Sequence, residues 1–182
     1  MRILRIALII TFVAITLQET NAQDQIFAHS LGFEYNSYLN ASSLGVLYSP
    51  RIALIHTGKQ SNISVGSHLG AGFAWHGLYP NKTYYIQAPV VFEYNFGQGS
   101  EPNTRAEIGG FVGLGYGFNF NGSEKAWGTD TYNVNGIVAT FGLRRVIKNI
   151  PLGFRMQYLF DLKNSDYGIW GIGFYYFFGD FK

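Results

Sequence analysis

The sequence predicts an all-β chain folded as an eight-stranded antiparallel up-and-down transmembrane β-barrel. Three observations carry that expectation. Aromatic residues reach 18%, glycines number 23, and charged residues are only 13%, about half the roughly 25% of ordinary soluble domains. No internal stretch offers the run of about 20 apolar residues that a membrane helix needs. Period-two alternation of apolar and small or polar residues recurs instead from segment to segment. A soluble chain this poor in charge would not stay dispersed, whereas a barrel that turns its apolar face to lipid has this composition.

The chain opens on a targeting pattern. Arg2 and Arg5 precede an apolar run from Ile6 to Leu17, and Thr20-Asn21-Ala22 supplies a small residue for cleavage before Gln23. Residues 1–22 are therefore expected to be a signal peptide and 23–182 the barrel domain. Cysteine is absent, which removes disulfides and thiolate chemistry. A net charge of +2 without a basic cluster gives no footing for nucleic acid.

Eight strands are expected at 28–38, 44–56, 62–76, 83–97, 104–120, 132–147, 151–162 and 166–178. Tyr84 to Phe96 shows the alternation best. Tyr84, Ile86, Ala88, Val90, Phe92, Tyr94 and Phe96 fall on one face; Tyr85, Gln87, Pro89, Val91, Glu93 and Asn95 fall on the other. In the next strand, Ile108, Val112, Leu114, Tyr116, Phe118 and Phe120 oppose a face rich in glycine. The last strand sets Trp170, Ile172, Phe174, Tyr176 and Phe178 against Ile169, Gly171, Gly173 and Tyr175. The second strand alternates least clearly, around Pro50. The breaks carry Asn, Gly, Ser and Pro, as at Thr57 to Gln60, Gln98 to Asn103 and Lys148 to Pro151.

The bulky face is expected to meet lipid, with aromatic girdles near both ends of the strands. Parity turns Glu34, Arg51, Glu93, Glu107, Arg144, Arg155, Gln157 and Asp161 inward. Charges in so narrow a lumen are costly unless paired. Carboxylate–guanidinium pairing is thus expected among Glu93, Glu107, Arg144 and Arg155, with Glu34, Arg51 and Asp161 completing the network. An eight-stranded barrel is just wide enough for its own side chains. The inward glycines 109, 113, 115, 117, 171 and 173 either open cavities or make room for neighbours such as Phe111.

The signal pattern, the "IQAPVVFEYNFG" strand at Ile86–Gly97, the "PLGFRMQYLFDL" strand at Pro151–Leu162 and the aromatic ending "GIGFYYFFGDFK" carry a resemblance. The chain resembles the small outer-membrane β-barrel family common in Bacteroidetes, related in architecture to the OmpX and OmpA transmembrane domains. The resemblance implies a Gram-negative outer-membrane location, a bilayer and lipopolysaccharide as surroundings, and insertion by the barrel-assembly machinery. Family members usually end on an aromatic residue; here Phe181 is followed by Lys182. The resemblance implies no catalytic residues and no cofactor.

Three functions stay open: a structural, adhesive or surface-interacting barrel, a narrow porin-like channel, and a lipid-modifying enzyme. For the first, the longest connection carries Glu124, Lys125, Trp127 and Asp130 as candidate contacts for an extracellular ligand. For the third, a serine and a histidine must share a lipid-facing side, and neither Ser67-His68 nor His29-Ser30 does. His68 and His76 share a face but lie about 27 Å apart along a strand, too far to hold one metal. The glycines from 109 to 117 do not form a dinucleotide fingerprint, because no helix follows. A secreted lipocalin is the structural rival, but no helix follows the last strand and the apolar face is too complete.

Overall fold

The computed structural model describes residues 27–38, 41–76, 79–101, 104, 106–123, 133–163 and 168–178. They form nine antiparallel strands: β1 (Phe27–Tyr38), β2 (Ala41–Gly58), β3 (Ser61–Ser67), β4 (Leu69–His76), β5 (Tyr79–Gly97), β6 (Ile108–Ser123), β7 (Asn133–Ile147), β8 (Ile150–Asp161) and β9 (Gly168–Phe178). Sequence neighbours pair throughout except β3 with β4, and β1 also pairs with β9, so the sheet closes on itself. β3 and β4 lie end to end between β2 and β5, which makes the closed ring eight strands around.

The expected segment 62–76 is thus divided at His68, and two prolines explain why. The registers on either side of the gap run on to place His68 opposite Ser49 of β2 and Pro89 of β5. Pro50 follows Ser49. Neither proline has an N–H to give the ladder, so pairing lapses on both flanks of one residue. The weak alternation of the second segment also has a cause. The β2–β3 register shifts between Ala53 and Ile55, a bulge that reverses parity. Ile52 and Ile55 consequently both face out.

The strand faces separate as parity predicts. Phe73, Phe33, Phe174 and Leu114 are 73%, 68%, 65% and 64% exposed, whereas Glu34 and Arg155 are 1% exposed. The barrel is inside out relative to a soluble protein: a wide apolar belt faces outward, and buried charge faces inward. Aromatic contacts gather outside at both ends. Tyr35 meets Trp75 and Trp170 at one end, and His29 stacks on Phe178 at the other.

Inside, glycines decide what fits. One register row runs Phe111, Gly142, Arg155, Gly173, Glu34, Gly45, Gly72, Tyr85. Long side chains alternate with positions that have none. A Cβ at Gly142 would overlap the Phe111 ring, and one at Gly45 would overlap the Tyr85 hydroxyl. The row below does the same with Arg144, Gly153, Tyr175, Gly32, Leu47, Gly70 and Gln87. The inward glycines of these rows make room for neighbours. Two apolar clusters fill the rest: Val91, Val134, Val138, Leu159 and Ile169 in one, and Leu47, Phe111, Tyr175 and Phe177 in the other.

Candidate functional site: the polar lumen

Arg155 on β8 and Glu34 on β1 are separated by Gly173 on β9. With no side chain between them, Arg155 Nη2 reaches Glu34 Oε2 at 2.6 Å, and both groups are buried. Across the barrel the glycines at 45 and 72 leave a similar gap, and Tyr85 Oη donates to Glu34 Oε1 at 3.1 Å. Asn36 Nδ2 donates to the same oxygen at 3.3 Å. One row higher, Gln157 Nε2 donates to Asn36 Oδ1 at 3.3 Å across Gly171.

Glu93 takes a partner that sequence parity did not name. Its Oε1 lies 2.8 Å from His68 Nε2, and His68 Nδ1 lies 2.9 Å from Ser49 Oγ. All bonds are satisfied if Nε2 carries the proton and Ser49 donates to Nδ1. The ladder gap positions this group, because His68 sits where Pro50 and Pro89 interrupt pairing. Ser49 and His68 both have inward parity, so the signal was present in the sequence. What brought them together was the register between strands.

The two remaining arginines converge at the end of the barrel where β1 begins. Arg144 Nη1 donates to Asn95 Oδ1 at 2.9 Å and to the Gly99 carbonyl at 3.4 Å. Arg51 donates to the same two oxygens. Arg144 also stacks over Phe111, 4.5 Å from the ring centroid. The acceptor Gly99 belongs to the β5–β6 connection, which turns back into the barrel mouth. Gln98, Gly99 and Ser100 are buried there, and Gly97 and Gly99 adopt positive φ to make the bend. Asn62 donates to the Ser100 carbonyl, and Glu101 Oε1 lies 2.7 Å from His56 Nδ1 at the rim. This strap was expected only as a turn.

Two expected members of the network stand apart from it. Glu107 is exposed and precedes β6, which begins at Ile108 rather than near 104. Inward parity lapses where the strand does, so Glu107 is not a lumen residue. Asp161 is buried at the opposite end, where it accepts the backbone N–H of Lys163 at 2.9 Å and meets no arginine among the described residues. Carboxylate–guanidinium pairing therefore joins Glu34 to Arg155, while Glu93 bonds His68 instead. Glu124, Lys125, Trp127 and Asp130 lie outside the described residues.

No known protein family matches the sequence, and no curated protein matches it. Solved structures do. Ail, the attachment invasion locus protein of Yersinia pestis, in a complex with the heparin analogue sucrose octasulfate, superposes with a TM-score of 0.54 at 13% identity, covering 86% of this chain and all of that one. Neisserial surface protein A gives 0.47 at 14%, covering 85% and 98%. The N-terminal β-barrel domain of Pseudomonas aeruginosa OprF gives 0.46 at 13%, covering 86% and 100%. At such identities the likeness is one of fold. In fold, the chain is an eight-stranded antiparallel β-barrel similar to that of Ail, with its apolar side chains on the outside.

Proposed function

We propose that this protein serves the outer membrane as a closed barrel with a structural, adhesive or surface-interacting role, and that it neither conducts solutes nor modifies lipids. The observation that carries the reading is the filled lumen. The Glu34–Arg155 pair, the Ser49–His68–Glu93 chain and the Arg51–Arg144 group span it at successive levels, and the strap at Gln98–Glu101 folds into one mouth. The described cavity beside His68 has a volume of about 20 Å³. That is room for one water-sized occupant and none for an acyl chain, so the Ser49–His68–Glu93 connectivity lacks a substrate path. It holds the interior together.

With the lumen closed, the surface role falls to the connections at the end opposite the strap. The longest carries Glu124, Lys125, Trp127 and Asp130, which we assign as contacts for an extracellular ligand. Ail, which shares the fold, is by name an attachment protein, and an adhesive role here fits that analogy. Lipopolysaccharide would surround the barrel, and the barrel-assembly machinery would insert it.

The test uses the refolded chain in a planar bilayer. Silence from demonstrably inserted protein supports the reading; discrete ion-selective steps would replace it with a porin. Deleting 122–130 should then reduce cell attachment while leaving insertion intact. Unchanged attachment would remove these residues from the role.

A further inference from the structure

We propose that the hairpin joining β7 to β8 holds the phosphate of an anionic phospholipid at Arg145 and Lys148, on the outer wall at the strap end of the barrel. The first observation is a cation on the lipid-facing side. β7 turns Leu143, Arg145 and Ile147 outward, while Arg144 turns inward over Phe111. Register sets Arg145 between Ile108 of β6 and Leu152 of β8. These two neighbours, with Leu143 before Arg145 and Ile147 and Ile150 beyond it at the turn, are 44–57% exposed. Arg145 thus stands inside the apolar belt, not past its edge. It is the one outward-turned lysine or arginine in a strand among the described residues.

The second observation is the lack of a protein partner. No hydrogen bond or ion pair joins Arg145 or Lys148 to another described residue. Glu107 stands one residue before Ile108, is exposed, and leaves Arg145 unbonded. A guanidinium among lipid tails is costly unless it reaches an anion. Its long stem can stay in the tails while its head rises to the headgroup level. Lys148 marks that level, exposed at the tip of the turn. The planar guanidinium matches two phosphate oxygens, and the ammonium adds a second positive charge. The apolar residues around Arg145 would lie along the acyl chains, which a free phosphate lacks. The surface role belongs to the opposite end, so the lipid is a phospholipid of the inner leaflet and not lipopolysaccharide.

The inference rests on the outer-membrane reading, and insertion is scored first so that the two fail separately. The refolded chain is placed in vesicles of equal phosphatidylcholine and phosphatidylglycerol and tested for protease resistance. It is then extracted into mild detergent, and the retained lipid is identified by native mass spectrometry. We expect one phosphatidylglycerol held in preference to phosphatidylcholine. Arg145→Gln should weaken that preference about five-fold, the worth of one cation at a membrane surface, and Lys148→Gln should do the same. Lys59→Gln removes an exposed cation from the β2–β3 turn at the same end and should leave the preference unchanged. Equal retention of both lipids overturns the proposal. So does an equal loss in Lys59→Gln, which would mean diffuse attraction. So does a preference seen only in Glu107→Gln, which would mean that Glu107 already holds Arg145. A chain that does not insert overturns the outer-membrane reading together with the site; an inserted chain without the preference overturns the site alone. The lipid mixture on the unaltered chain decides the matter even if a variant does not fold.

Discussion

At the scale of single residues, the lumen is governed by the cost of burying charge. Glu34 and Arg155 are the most enclosed ion pair among the described residues, and removing one partner strands the other. Arg155→Ala is expected to lose about 3–5 kcal/mol, measured by urea unfolding in lipid vesicles. The double variant Glu34→Leu with Arg155→Met removes both charges and should recover most of that loss. A double variant no more stable than Arg155→Ala would show that the pair acts through shape rather than charge. Inward parity made both residues visible in the sequence. Their pairing was not visible, because it depends on Gly173 standing between them.

At the scale of elements, prolines and glycines set the features that composition alone cannot place. Pro50 and Pro89 open the ladder beside His68 and leave its ring free to bridge Ser49 and Glu93. Pro50→Val restores an N–H on the side of β2 that faces β3 and β4. Hydrogen exchange should then show a protected amide at residue 50, with the β2 ladder running unbroken from β3 into β4. Fast exchange at that amide would mean that the gap has another origin, such as the bulge near Leu54. The opposite case is the Lys148-Asn149 turn. Both residues have positive φ, as a two-residue hairpin turn requires, and its position was legible from the sequence.

At the scale of the whole molecule, the exterior decides the surroundings. Leu114 lies within β6, is 64% exposed and belongs to an unbroken apolar belt. Leu114→Arg should cost about 2–4 kcal/mol near the bilayer midplane. The same change on a watered surface would stay within about 0.5 kcal/mol. Refolding yield and urea midpoint in lipid vesicles separate these outcomes, and the smaller value would argue that this face does not meet lipid.

Sequence alone settled the β class, the ring of eight, and which face of nearly every strand turns inward. Those properties follow from a side-chain period of two and from composition, and both are local. It also marked Glu34, Glu93, Arg144 and Arg155 as enclosed. Tertiary structure decided the partners. Register across the strands sets who faces whom, so Glu34 met Arg155 over a glycine and Glu93 met His68 at a ladder gap. Glu107 fell outside because β6 starts after it, a boundary that alternation does not mark. The strap at Gln98–Glu101 was equally hidden. Its glycines and polar residues announce a turn, but only the closed barrel supplies the arginines that draw its carbonyl groups inward.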